Sequence, residues 1–279
     1  MALQTRFSRV RMNILFIHQN FPGQFKHLAP ALASLGHDVT ALVLTKTDAK
    51  KWNGVKLIHY SLDRGNAKGA HPWTVDFESK VIRGEACQRA ALALKKQGYT
   101  PEVIVAHPGW GESLFLKEVW PGAKLNLYCE FFYQPRGADV GFDPEFSSSD
   151  PADVGRVTLK NANILLQFQQ ADAGISPTHW QVSTFPQHIR DKITVIHDGI
   201  NTHALSPDPS ATFLLDNGKS LTHDDEVITF VNRALEPYRG FHIFMRSLPR
   251  LLTACPNAQV LIVGKEGVSY GAQPPNGKS

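Results

Sequence analysis

The chain has 279 residues, 42% of them hydrophobic and 19% charged, and a net charge of +4. That composition excludes a disordered or fibrous chain, and the charge is too small to mark a nucleic-acid binder, though it suits a phosphate-bearing ligand or an anionic membrane surface. Cys87, Cys129 and Cys255 lie far apart, with neither metal-ligand spacing nor an even disulfide set, and no apolar run approaches a membrane span, so the expected setting is cytoplasmic with at most peripheral membrane contact.

Residues 1–11 carry Arg6, Arg9 and Arg11 with no hydrophobic signal core behind them, and read as a disordered leader or an over-extended start. Asn13–His18 is a short apolar run and reads as a buried strand. Pro22 and Gly23 make Gln19–Gln24 a loop, and Leu28, Ala31, Leu32 and Leu35 then recur at helical spacing up to Gly36, a helix-ending glycine. Asp38–Leu44 is the next strand, so the chain opens on a Rossmann-like βαβ unit with its first loop at the crevice end of the sheet. A dinucleotide fingerprint wants three glycines there and one is present, which argues against nicotinamide chemistry. Val55–Tyr60 is a strand in a polar stretch whose Lys46, Lys50, Lys51 and Lys56 read as a solvated face. Thr74–Gln97 is a long helix ended by Gly98.

Pro101–Ala106 is a strand that runs into His107-Pro108-Gly109-Trp110-Gly111-Glu112. A histidine at the carboxyl end of a strand, in a Gly-rich loop, stands where catalytic groups gather in α/β folds. Lys124–Cys129 is another strand, followed by Glu130 and by a Gly-, Pro-, Asp- and Ser-rich loop, Gln134–Ser149, whose length suggests either a function, such as part of an acceptor pocket, or disorder. Glu130 and Asp143 lack a paired acid–base spacing, and neither is given a catalytic role. Pro151–Gln170 is a helix and Asp172–Ile175 a strand; Ser176 with Pro177 caps a helix through Phe185. Lys192–Ile196 is a strand leading to His197-Asp198-Gly199-Ile200-Asn201, Asn201–Ser210 a linker, and Asp216-Asn217-Gly218 a hairpin turn.

Val227–Val231 and Gln259–Val263 read as strands buried on both faces, joined by the polar loop Asn232–Gly240 and a helix with Phe241, Phe244, Leu248, Leu251 and Leu252 on one face. That loop carries Arg233 and Arg239, permanent cations that fork onto phosphate oxygens, and the helix start behind it favours an anion. By residue type alone the arginines are equally well solvated loop residues, Gly23 and Gly199 plain turn glycines, and His107 a structural histidine.

Arg-Ala-Leu-Glu-Pro-Tyr-Arg-Gly-Phe, followed by a helix and Val-Leu-Ile-Val-Gly, resembles the start of the nucleotide-sugar-binding half of family-4 retaining glycosyltransferases, and the run Ser176–Asn201 resembles the close of their first domain. The resemblance implies GT-B architecture: a Rossmann-like acceptor-side domain over residues 12–205 and, over 206–279, the first βαβ part of a second Rossmann-like domain that takes the donor. It implies that Arg233 and Arg239 hold the donor diphosphate, Arg239 standing one residue beyond the family's usual Lys, and that His107 faces the transferred sugar. Gly23 matches the family's cleft loop, which more often has two glycines, and Gly199 and Asn201 take the place of its Pro-Asn-Gly turn. With Gly240 these give the expected donor-binding set of Gly23, Gly199, Asn201, Arg233, Arg239 and Gly240, and a catalytic set of His107, Arg233 and Arg239. No cofactor and no metal are expected, the nucleotide sugar being a substrate; the acceptor, whether glycan, lipid or small molecule, stays open. The family's downstream glutamates have no counterpart here, so these 279 residues are expected to be a fragment that binds nucleotide weakly and transfers no sugar. The alternatives are a nucleotide-sugar epimerase on the same fold and a non-catalytic binding remnant.

Overall fold

The computed structural model describes residues 10–44, 48–146 and 150–269. Most of the expected leader, Lys46 and the end of the Gln134–Ser149 loop lie outside these residues. The chain divides into two compact units, up to Gly199 and from Ile200 onward.

In chain order the first unit contains β1 (Asn13–Ile17), α1 (Leu28–Ser34), β2 (Asp38–Val43), β3 (Lys51–Trp52), β4 (Val55–His59), α2 (Val75–Lys96), β5 (Val103–Ala106), α3 (Leu116–Val119), β6 (Lys124–Tyr128), α4 (Ala152–Gln170), β7 (Ala173–Ser176), α5 (His179–Ser183), α6 (Gln187–Arg190) and β8 (Ile193–Val195). The eight strands form one sheet in the order β3-β4-β2-β1-β5-β6-β7-β8, parallel except for the short β3 edge. Strand order reverses between β1 and β5, which makes their carboxyl ends the switch point where such sheets hold ligands.

β1 is apolar from Ile14 to Ile17 because both its faces are covered there. Leu15 and Ile17 enter one core with Ala86, Cys87, Ala91 and Leu94 of α2 and Ile164 and Phe168 of α4. Ile14 and Phe16 enter a second core with Phe25, Ala29 and Val39 on the opposite side. Gly98 (φ 86°) reverses the chain after α2, as a helix-ending glycine should.

The cap of α5 differs from expectation. Its N-terminal residue is Thr178, whose Oγ1 accepts the Gln181 N–H at 3.1 Å, while Ser176 is the last residue of β7 with its hydroxyl buried and without a partner among the described residues. Pro177 separates the two, and Thr178 has the extended backbone a cap needs. Thr178→Ala should therefore lower unfolding stability by about 1 kcal/mol, whereas Ser176→Ala should cost little; denaturant melts of both variants check the assignment, and the opposite ranking would refute it.

The second unit contains the antiparallel pair β9 (Phe213–Leu214) and β10 (Ser220–Leu221), closed by the Asp216-Asn217-Gly218 turn, then β11 (Val227–Ala234), α7 (Phe241–Ala254) and β12 (Gln259–Lys265). β11 and β12 pair in parallel, and Phe230 packs on Phe241 and Phe244 of α7 with ring centroids 5.5 and 4.9 Å apart. Two expectations need correction here. These strands are not buried on both faces: Val231 is 64% and Val263 52% exposed, because among the described residues β11 and β12 pair only with each other. The loop also begins later. β11 runs through Asn232 and Arg233 to Ala234, with a register shift after Val231, and Gly264 allows the close approach, since a Cβ there would come within 2.9 Å of the Asn232 carbonyl.

Candidate active site

Three loops meet at the switch point of the first unit: the one after β1 brings His18 and Gln24, the one after β5 brings His107 and Trp110, and the one after β6 brings Glu130. His18 and His107 are buried, with their ring centroids 5.7 Å apart. Trp110 stacks on His107 at 4.2 Å and meets His18 edge-on at 4.8 Å, so one indole face is already used by the protein.

Hydrogen bonds fix both imidazole tautomers. Backbone N–H groups can only donate. The Gly109 N–H reaches His107 Nδ1 at 3.0 Å and the Asn20 N–H reaches His18 Nδ1 at 3.1 Å, so both Nδ1 atoms accept and both ring protons sit on Nε2. From there the bonds run in one direction: His107 Nε2–H donates to Glu130 Oε2 at 2.9 Å, His18 Nε2–H donates to Gln24 Oε1 at 2.7 Å, and the Gln24 amide donates to Glu130 Oε1 at 2.8 Å. Glu130 terminates the chain as the ionised acceptor. Burial alone would raise its pKa; the bonds from His107 and Gln24 outweigh that and hold it below the ordinary carboxylate value. Burial, then the neighbouring His107, lowers the pKa of His18 to about 4, against the opposing pull of Gln24 and Glu130.

The loop that carries His107 is held from behind. Asn163 and Gln167 of α4, both buried, donate to the Pro108 carbonyl at 2.7 and 2.9 Å, and Gln167 Oε1 also accepts from the Ser113 hydroxyl. Gly111 (φ 93°) must be glycine, since a Cβ would come within 2.4 Å of the Lys80 carbonyl on α2. Glu112 turns away from the site: it is 1% exposed, with the Tyr60 hydroxyl 3.4 Å from Oε1.

The expected site residues fall in different settings. His107 is at the centre of the cluster. Gly23 (φ 47°) serves His18, because a Cβ there would lie 2.2 Å from His18 Nε2. Gly199 (φ 77°) is exposed, and Asp198 before it accepts the Tyr128 hydroxyl at 2.5 Å. In the second unit, Asn201 is exposed and turns its Oδ1 to the N–H groups of His203 and Ala204. Arg233 is exposed near the end of β11, with no ion pair among the described residues. Arg239 lies in the turn Pro237–Arg239 with Nε 3.7 Å from Glu236 Oε1. Glu236 is buried and also accepts the N–H and hydroxyl of Ser269 at 2.8 and 2.7 Å. Gly240 (φ 74°) begins α7 in a left-handed conformation that favours glycine. His18 and Gln24 escaped the sequence reading, and Glu130 was named there but given no role. His18 ends β1 just as His107 ends β5, and that shared position is the signal that could have found it.

Comparison with known proteins places this geometry. The sequence profile described as the glycosyl transferase family 4 group matches residues 36–205, more than half of the chain. No curated protein matches the sequence. Among solved structures, the catalytic domain of starch synthase IV from Arabidopsis thaliana, bound to ADP and acarbose, matches with a TM-score of 0.56 and 14% identity over 93% of this chain and 69% of that one. The UDP-forming α,α-trehalose-phosphate synthase from Burkholderia vietnamiensis matches at 0.51 with 10% identity over 93% and 65%. The α,α-trehalose 6-phosphate synthase from Burkholderia multivorans matches at 0.52 with 10% identity over 92% and 64%. The chain thus spans about two thirds of the length of these structures. The shared fold is GT-B: a Rossmann-like first unit and a βαβ portion of a second.

Proposed function

Because the chain belongs to the glycosyl transferase family 4 group, we propose that it serves the transfer of a sugar from a nucleotide-diphosphate donor to an acceptor hydroxyl, with retention at the anomeric carbon. In this reaction the bond from the anomeric carbon to the diphosphate oxygen breaks, the acceptor oxygen bonds to the same face, and the acceptor proton passes to the departing diphosphate. Arg233 and Arg239 would balance the charge that develops there.

The state of the imidazoles supports retention by removing both histidines as candidate bases. An inverting transfer needs a base to take the acceptor proton from the far face. Each imidazole here has its Nδ1 capped by a backbone N–H and its Nε2 proton committed to Gln24 or Glu130, so neither offers a lone pair. Glu130 keeps spare acceptor capacity and a side chain 38% exposed. Its task in this reading is to receive a hydroxyl of the transferred sugar, and His107 is the group that aims it.

Two measurements test the reading. In calorimetric titration with UDP and ADP, Arg233→Ala should bind about tenfold more weakly, as expected for losing one charge-assisted contact; equal affinity removes Arg233 from the donor site. The anomeric configuration of the transfer product, read by NMR against that of the donor, should be retained. An inverted product overturns the mechanism, and a changed sugar released without acceptor points to epimerisation.

A further inference from the structure

The first unit has a cavity of about 320 Å³, lined among others by Trp73 and Asp139 and, from two helices that also pack on the loop carrying His107, by Asp76, Asp153, Arg156 and Lys160. The helices that carry that loop also form the cavity wall. Asp76 stands one turn before Lys80, whose carbonyl faces Gly111, and Lys160 stands three residues before Asn163, which holds Pro108. Asn161 exchanges hydrogen bonds with the backbone of Tyr133 at 2.9 and 2.8 Å, which fastens the segment after Glu130 to the same helix.

Most of the lining charge is already neutralised. Lys80 pairs with Asp76 at 2.5 Å, and Arg156 pairs with Asp153. That leaves one acceptor and one donor of opposite sign. Asp139 uses Oδ1 to receive the Gln134 N–H at 2.8 Å. Lys160 holds its ammonium 3.7 Å above the Tyr133 ring, with no carboxylate within 4.0 Å among the described residues. Trp73 is fixed as a wall: its ring lies against Gly155, where a Cβ would come within 2.7 Å of it.

We propose that this cavity binds a neutral, hydroxyl-rich ring of the acceptor, so that the acceptor is a glycoside. An aromatic wall suits the C–H face of a sugar, Asp139 receives its hydroxyl protons, and Lys160 donates to its oxygens. A charged ligand of either sign would meet a like charge, an anion Asp139 and a cation Lys160. The volume is at the small end of ligand pockets and suits one or two rings. Burial lowers the pKa of Lys160 and raises that of Asp139, as expected of groups lining a partly dry recess. The proposal rests on the glycosyltransferase reading for the word acceptor, and the experiment separates the two.

The 279-residue chain is titrated with neutral methyl glycosides (glucoside, mannoside, galactoside) under saturation-transfer NMR, and separately with UDP and ADP by calorimetry. At least one glycoside should show transfer, lost in Trp73→Ala and weakened at least about tenfold in Asp139→Asn and Lys160→Met, with nucleotide binding unchanged. Asp139→Asn keeps its shape and decides the matter should Trp73→Ala fail to fold. No transfer with any glycoside, or transfer that survives Asp139→Asn and Lys160→Met, overturns the proposal while leaving the donor reading intact. Glycoside binding without any nucleotide binding upholds the cavity and overturns the donor reading.

Discussion

Glu130→Gln is expected to lower sugar transfer about a hundredfold, or about 2.7 kcal/mol of transition-state stabilisation. The change keeps the shape of the side chain and makes one of its two acceptors a donor. If the new amide NH₂ faces His107, that ring must move its proton to Nδ1, where the Gly109 N–H already points at it. If it faces Gln24, the Gln24 amide must flip, and His18 must then move its proton toward the Asn20 N–H. Each arrangement sets two donors against each other in a half-buried place, at a cost of about 1–3 kcal/mol. The variant should therefore show a loss in kcat together with a changed ¹⁵N signature at one of the two imidazoles. Normal turnover with unchanged tautomers would mean that the directed chain of hydrogen bonds has no part in catalysis.

What the sequence reveals depends on how local the cause is. Strands such as Asn13–Ile17 and Val103–Ala106 declare themselves because a parallel strand covered on both faces is apolar at nearly every position. Gly36 and Gly98 mark helix ends for reasons that lie within one turn of chain. The same rule misleads at Val227–Val231 and Gln259–Val263, where a largely apolar strand lies partly exposed, because pattern records what a segment is suited to and not what covers it. The short β3 and α6 carry too few residues to show a period. At the site, His107 was legible from strand, loop and glycines together. Glu130 was not, because its role comes from partners 23 and 106 positions away in sequence, and no spacing rule reaches that far. Gly23 was legible as special, but only the folded chain gives the reason, the closeness of His18.

His18 also makes a large prediction that needs no turnover. Its pKa falls from 6.5 to about 4 on folding, so between those values the unfolded chain binds a proton that the folded chain refuses. The sign follows from linkage: stability rises with pH wherever the unfolded state holds more protons. His18 therefore contributes no penalty above about pH 6.5, and its growing cost as pH falls to about 4 reaches about 3 kcal/mol, at about 1.4 kcal/mol per pKa unit. The groups that set this are those facing the ring, His107, Gln24 and Glu130, together with burial. Carboxylates act lower: Asp172, held at about 2 against its own burial by bonds from Lys124, Leu125 and Lys117, loses its contribution only as pH falls from 3.8. Urea unfolding at intervals from pH 7 to pH 4.5 should thus show a decline that His18→Gln lacks, since glutamine does not titrate and its amide can still donate to Gln24. Parallel curves for the two proteins would show that the ring accepts a proton in the folded state as readily as in the unfolded one. In that case the Nδ1 contact with Asn20 does not hold it neutral, and the case against a histidine base loses half its support.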